Sequence, residues 1–422
     1  MRRYIVGSVV SFLCVISANA LASVDDSISK NQSHWEEFYK ELHQYPELSG
    51  EEKLTAEKVA REFRALGLEV KEKIGGYGVV GILRNGQGPT TLVRTELDAL
   101  PVKEDTGLRY ASKVDGKMHA CGHDFHAAVL MGTAQAMADN KADWKGTLVF
   151  VAQPAEEVVS GASAMIKDGF FKKVPKPDQA LALHTMGNLK KGTIAVVPGY
   201  AMANVDTVHV TFKGKSTHGS APEGGVDPFI ETAEFTLKMQ TLVGREKKAI
   251  RPAVISVGSI HGGTKANIIP DEVKMALTVR TFDPELRKFI KRRIQEIAVG
   301  IAHTNNAPDP VVQFSESSDA TYNNPQLAET MRKVFQSKFG SEAVLSPDPI
   351  MGAEDFGLFA AAVKAPSLMF WIGEDSQKGA PIYNHSSKYV TDWKATAPLA
   401  MKAMTAALLK LHGNDHLPIG SI

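Results

Sequence analysis

Between residues 78 and 183, short β-type runs alternate with a long apolar helical run, and this alternation limits the fold more than any other feature. Residues 78–83, 91–94 and 147–152 read as strands, residues 127–137 as a largely apolar helix, and residues 179–183 as a further strand. Strand–helix–strand order implies an α/β sheet with parallel strands and helices on its faces. Ahead of it, apolar residues at helical spacing (Trp35, Phe38, Leu42, then Leu54, Val59, Phe63 and Leu66) predict two helices broken at Tyr45-Pro46. After about Pro198 the pattern changes to strand 205–213, helix 227–243 entered through Pro228, strands 253–260 and 272–281, and the charged amphipathic helix 284–303. That is the order of a small, ferredoxin-like α+β unit of about a hundred residues. From about Val312 the α/β pattern returns and ends in helix 395–411. The expected fold is therefore α/β with two domains: a central mixed sheet flanked by helices, interrupted by an inserted α+β domain. The expected boundaries are 23–197 and 312–422 for the larger domain and 198–311 for the insert.

The chain has 422 residues, 43% of them hydrophobic and 23% charged, ordinary values for soluble globular domains. This excludes a mainly disordered chain, a collagen-like fibre and a disulfide-dense miniprotein. Lys and Arg number 48 against 47 Asp and Glu, so nothing favours nucleic acid or an anionic membrane as a partner. The start, residues 1–22, has the layout of a secretory signal peptide: Met1-Arg2-Arg3, an apolar stretch over residues 4–16, then small residues at Ala18, Ala20 and Ala22. Cleavage after Ala22 is expected, giving an exported, periplasmic protein that begins at Ser23 and keeps no membrane span. Cys14 leaves with the signal, so Cys121 is the one cysteine of the mature chain. In an oxidising compartment a lone thiol has no internal partner. It can be a small buried apolar residue, but its neighbours point elsewhere.

The densest chemical signal is His119-Ala120-Cys121-Gly122-His123-Asp124. Thiolate and imidazole are ordinary ligands for zinc and similar metals. In an extended loop Cys121 and His123 point the same way, because side chains alternate with period two. Gly122 lets the backbone bend between them, and Asp124 can cap the helix that follows. The alternative is a turn with one satisfied histidine. The second signal is Glu156-Glu157, where the β-run 147–152 ends. Open α/β sheets place ligands at the C-terminal ends of their strands. One of two adjacent carboxylates can bind a metal while the other takes the proton of a water attacking a carbonyl; a solvated acidic helix start is the competing reading. His184 ends the run 179–183, and His385 lies far along in Tyr383-Asn384-His385-Ser386-Ser387. Single histidines of this kind are more often structural.

Together with HQYPELSGEE from His43, LDALPVKE from Leu97, HACGHD from His119, QPAEE from Gln153, LHTMG from Leu183, GGTKANIIPDEV from Gly262, RTFDPE from Arg280 and MGAEDF from Met351, these residues make the chain resemble the metal-dependent amidohydrolases of the aminoacylase and carboxypeptidase type. The similar branch holds hippurate hydrolases, N-acetyl-diaminopimelate deacetylases and indole-acetyl-amino-acid hydrolases. The stretches stand in the family's order and span most of the mature chain. The resemblance implies an enzyme that hydrolyses the amide of N-acyl-amino acids, with a metal-ligand set of Cys121, His123, Glu157, His184 and His385. It implies Glu156 as general base and acid, and an insert that serves as lid and homodimerisation surface. Five ligands exceed what one tetrahedral zinc needs. Two divalent ions, bridged by Cys121 or water, would use them all; zinc, manganese, cobalt and nickel are not distinguished. From the lid, His218 is the candidate to stabilise the oxyanion, and Asn267 and Arg280 are candidates to hold a substrate carboxylate. Arg280 reads equally as a salt-bridge partner within the lid. Many relatives outside the branch carry a histidine ligand where this chain has Glu96; Glu96 is not assigned as a ligand, and Asp98 is given a supporting role. Lid closure would need hinges near Pro198 and Val312. A dipeptidase or carboxypeptidase on the same scaffold is the nearest alternative. A non-catalytic periplasmic solute-binding protein would not need Glu156-Glu157 beside a Cys–His pair.

Overall fold

The computed structural model describes residues 18–375 and 378–413. The apolar stretch of the expected signal, residues 4–16, lies outside them. The first helix, Ala18–Gln44, begins before the expected stripe at Trp35. Val24 and Ile28 extend that stripe at helical spacing, and both are buried with Trp35, Phe38, Tyr39 and Leu42. Ser23 and Ser27 tie its start to the body by donating to Asp143 at 2.9 Å and Asp139 at 2.6 Å. The second helix, Lys53–Ala65, follows the break at Tyr45-Pro46. Among the described residues no helix is long and apolar enough to cross a membrane.

Eight strands form the main sheet in the order Glu69–Ile74, Gly78–Asn85, Gly146–Gln153, Thr90–Glu96, Gln179–Lys190, Ser367–Asp375, Ile194–Ala195 and Val344–Leu345. The four central strands, from Gly146–Gln153 to Ser367–Asp375, run parallel. The sheet is mixed because Gly78–Asn85 joins Gly146–Gln153 antiparallel and Ile194–Ala195 joins Ser367–Asp375 antiparallel. Period-two alternation feeds two cores. Leu148, Phe150, Leu181, Leu183, Phe370 and Ile372 face the helices His123–Asp139 and Trp393–His412. Val149, Val151, Ala180, Ala182, Met369 and Trp371 face Met165, Phe170 and Phe359 on the other side. The His123–Asp139 helix lacks an amphipathic pattern for the same reason: sheet and helices cover almost all of it.

The inserted domain is a four-stranded antiparallel sheet in the order Ala253–Gly262, Glu272–Thr281, Asn204–Lys213, Val311–Ser318. Helices Pro228–Thr241 and Pro284–Thr304 pack on one face. Each starts at proline after an aspartate cap: Asp227 accepts from Phe229 N, and Asp283 from Glu285 N and Leu286 N. This is the ferredoxin-like order. The expected boundary at 311/312 needs correction, because the strand Val311–Ser318 belongs to the insert. Val312 and Phe314 pack against the insert's core and decide the matter. The start moves as well, since Gly199–Met202 pairs with Thr321–Asn323 outside the insert's sheet. That two-stranded ribbon carries both domain connections, so the crossings lie near residues 203 and 319 rather than at Pro198 and Val312.

Candidate metal centre and active site

The parallel strands end at one edge, where the chemically active residues converge. His123 opens the helix His123–Asp139 after Gly122, whose φ of 91° places it in the left-handed region. A Cβ there would also lie 2.6 Å from Thr185 Oγ1, so the bend between Cys121 and His123 requires glycine. Asp124 does not act as the expected cap. Gly122 occupies that position, and Asp124, already in the first turn, is drawn to His43, whose Nδ1 lies 2.6 Å away. His43 Nε2 reaches Glu104 at 3.3 Å. Burial disfavours the charged ring, but Asp124 and Glu104 outweigh it and hold His43 up at about 9. A histidine raised above its ordinary value of about 6.5 adds stability below that value and loses it as pH rises through the raised one. The thermal-stability gap between the native protein and His43→Gln is therefore expected to be widest near pH 6 and to narrow through pH 9. A pH series of melting temperatures checks this.

Glu156 and Glu157 follow the strand Gly146–Gln153, and Asp98 follows Thr90–Glu96 on the neighbouring strand. Asp98 joins three parts of the site. Its backbone carbonyl lies 2.7 Å from His123 Nδ1, and its Oδ2 accepts from Ser49 Oγ at 2.7 Å and from Glu157 N at 2.9 Å. Because His123 Nδ1 donates to that carbonyl, the Nε2 lone pair is aimed at Glu156 and Glu157, 3.7 and 3.8 Å away. His184 repeats the device: Nδ1 donates to Thr185 O at 2.7 Å, leaving Nε2 3.4 Å from Cys121 Sγ. His385 arrives from a distant segment at φ 70°. Asn384 fastens that segment by donating to Cys121 O and Thr185 O at 3.2 and 3.0 Å, and His385 N donates to Ala120 O at 2.7 Å. His385 Nε2 then lies 3.4 Å from Glu157 Oε2.

The result is two triads that share one sulfur. The ligand atoms of Cys121, His123 and His184 lie within 4.8 Å of one another, and so do those of Cys121, Glu157 and His385. Among the described residues His123 Nε2 and Glu157 Oε1 are buried without a hydrogen-bond partner, a costly arrangement that a divalent cation would relieve. Burial, with Glu157 and Glu156 alongside, pushes the Cys121 thiol up, and a cation among these groups would favour the thiolate. Burial, Glu354 and Glu157 push Glu156 well above the usual carboxylate range, with Arg94 opposing. The residues fit a metal centre. Glu96 with His126, and Glu354 with Asp355, also gather ligand atoms. There Arg94 already supplies the positive charge, bonding Glu96, Glu354 and Asp355.

This donor set, placed at the ends of parallel strands with a ferredoxin-like insert beside it, matches a known group of enzymes. Residues 92–410 fit the profile of Peptidase family M20/M25/M40. The chain belongs to that family. It is 36% identical over 375 residues to thermostable carboxypeptidase 1 of Saccharolobus solfataricus, covering 88% of this chain and 93% of that protein. To the hippurate hydrolase of Campylobacter jejuni it is 35% identical, covering 87% and 94%. Its fold superimposes with a TM-score of 0.77 on the Bacillus subtilis YXEP protein, described as a dinuclear metal binding peptidase from M20 family, at 29% identity over 90% of this chain and 98% of the other.

In this M20-family chain none of the insert's three candidate residues hydrogen-bonds a member of the metal triads among the described residues. His218 is exposed, with Nδ1 2.7 Å from Ser220 Oγ. It pairs across the short ribbon with Ile268, beside Asn267, whose carbonyl accepts from Gly219 N at 2.8 Å. Arg280 is half-buried and donates to Met351 O at 3.2 Å and Thr278 Oγ1 at 3.2 Å. It therefore links the insert to the segment carrying Glu354 and Asp355, and among the described residues it makes no salt bridge within the insert. Sequence reasoning missed Arg94, which is fully buried and also donates to Gln153 Oε1 at 2.9 Å. A charged residue inside the apolar run 91–94, together with the acidic pair of MGAEDF, was the available signal.

Proposed function

We propose that the chain is a metal-dependent amidohydrolase that cleaves the amide of N-acyl-amino acids. The observation that carries this reading is Cys121 shared between two ligand triads with Glu156 alongside, 3.7 Å from His123 Nε2. Cys121, His123 and His184 would hold one divalent ion, and Cys121, Glu157 and His385 a second. A divalent ion bound there supplies Lewis acidity, lowering the pKa of water and polarising the scissile carbonyl. Glu156 takes the proton of the attacking water and passes it to the leaving nitrogen. Its burial and acidic neighbours favour a group that readily carries that proton. His218, Asn267 and Arg280 act from the insert, which closes as a lid: His218 on the oxyanion, Asn267 and Arg280 on the substrate carboxylate. Similarity to a hippurate hydrolase supports an acyl substrate, while similarity to a carboxypeptidase supports peptides on the same machinery.

A substrate panel on the metal-reconstituted mature chain tests the proposal. N-acetyl- and N-benzoyl-amino acids are expected to turn over faster than dipeptides or longer peptides, and a chelator should remove the activity until a divalent ion is returned. Faster cleavage of peptides would select the peptidase reading; chelator-resistant turnover would reject metal chemistry. The proposal includes export, with cleavage after Ala22 leaving Ser23 hydrogen-bonded to Asp143. It also includes a homodimer formed through the insert, whose helix Pro228–Thr241 exposes Phe229, Ile230 and Leu237 beside the open edge strand Ala253–Gly262. Sedimentation of the intact protein as a monomer would remove the dimer.

A further inference from the structure

Glu52 is buried at the start of the helix Lys53–Ala65, yet its side chain does not cap that helix. Glu47 does so instead, accepting from Leu54 N at 3.1 Å and Thr55 N at 2.8 Å. The Glu52 carboxylate is left to cross to another part of the fold, where Oε1 accepts from Ala155 N at 2.8 Å. Ala155 directly precedes Glu156 and has a φ of 52°, in the left-handed region. An L-residue there brings its Cβ too close to the following carbonyl oxygen, so the surrounding bonds must hold it. The Ala155 carbonyl accepts from Ser160 N and Gly161 N at 3.2 and 3.0 Å. Gly161 packs so closely that a Cβ on it would lie 1.6 Å from Pro154 O.

The peptide links on either side of Glu156 are thus tied down. Asp98 takes the Glu157 amide at 2.9 Å, and the Gln153 side chain is fixed between Arg94 and Asp355 at 2.9 and 2.7 Å. Resting on the reading of Glu156 as proton carrier, we propose that Glu52 is a positioning residue, which fixes Glu156 by locking the left-handed peptide before it. Glu52 belongs to none of the clusters able to hold a metal among the described residues. Its effect therefore falls on the geometry of proton transfer, where a misplacement of about 1 Å costs on the order of 10²-fold in rate.

The experiment uses the full mature chain loaded with metal. Turnover is followed with hippurate, or with N-acetylcysteine if hippurate is not cleaved, and the crystal structure of each variant is solved. Glu52→Asp shortens the reach, and Glu52→Ala removes the acceptor. Both are expected to lower kcat about 10- to 100-fold, with KM and metal content nearly unchanged and Ala155 moved out of the left-handed region. Glu52→Gln keeps a carbonyl acceptor and should retain most of the activity. Adding Ala155→Gly to Glu52→Asp should restore much of the loss, since glycine adopts that φ unaided. Equal loss in Glu52→Gln and Glu52→Asp, or an Ala155 that stays left-handed in Glu52→Asp, overturns the proposal. The backbone readout is independent of turnover. If Glu156 proved not to carry the proton, the effect on rate would fall with it, while the clamp on Ala155 would still be judged by its own measurement.

Discussion

Glu156→Gln is expected to remove turnover, by about 10²- to 10⁴-fold, while metal content and melting temperature stay at or above the native values. Gln has the shape of Glu but cannot take a proton from water and return it to nitrogen. Burial and the carboxylates of Glu354, Glu157 and Asp355 raise the cost of ionising Glu156. Gln adds no charge to that cluster and keeps the shape of the side chain, so the fold is expected to survive the substitution. Cys121→Ser is expected to do the opposite: metal occupancy falls, because both triads lose their shared sulfur. Metal analysis beside steady-state kinetics separates the two variants. Turnover in Glu156→Gln within about tenfold of native, far short of the usual contribution of such a group, would remove Glu156 from the mechanism. Full metal loading in Cys121→Ser would remove the sulfur from the ligand set.

Arg94→Met is expected to cost about 3–5 kcal/mol of stability, the usual result of deleting one partner of a buried ion cluster. Arg94 Nη2 lies 2.7 Å from Glu354 Oε1 and 3.0 Å from Asp355 Oδ1, and Nη1 bonds Glu96; all four groups are buried. Met fills similar volume and leaves three carboxylates without their cation. Glu96 shows the pH dependence. Burial opposes its ionisation, but Arg94 and His126 hold it well below the usual carboxylate range. A depressed carboxylate stabilises the fold above its ordinary value and loses that contribution as pH falls through the depressed one. The deficit of Arg94→Met should therefore be larger at pH 7 than at pH 4, where the abandoned carboxylates can take protons. Denaturant titrations at both pH values, in chelator to exclude metal linkage, measure it. An equal deficit at both would assign the loss to packing alone.

Local patterns were legible where one short stretch holds the information. The short apolar runs 147–152 and 179–183 read as strands, and both of their faces meet a core. Pro228 marked one helix start, and the structure shows an Asp-Pro pair opening both insert helices, at Asp227-Pro228 and Asp283-Pro284. The adjacency of Cys121, Gly122 and His123, and of Glu156 and Glu157, offered ligands and a base before any coordinates. The boundary expected at 311/312 failed because Val311–Ser318 pairs with Asn204–Lys213 while Val312 and Phe314 meet the insert's core, contacts that no local pattern shows.

Everything that depends on residues far apart in the chain waited for tertiary structure. His385 is an ordinary histidine until Asn384 ties its segment to Cys121 and Thr185. Arg94 is an oddity in a strand until Glu354 and Asp355 reach it. Residue order determines which backbone shapes are cheap and which side chains can bind metal or carry protons, since those are properties of neighbours and of single groups. Which of these side chains meet, and with what charge and burial, follows from packing across the sheet, and no local pattern encodes a contact between Glu52 and Ala155.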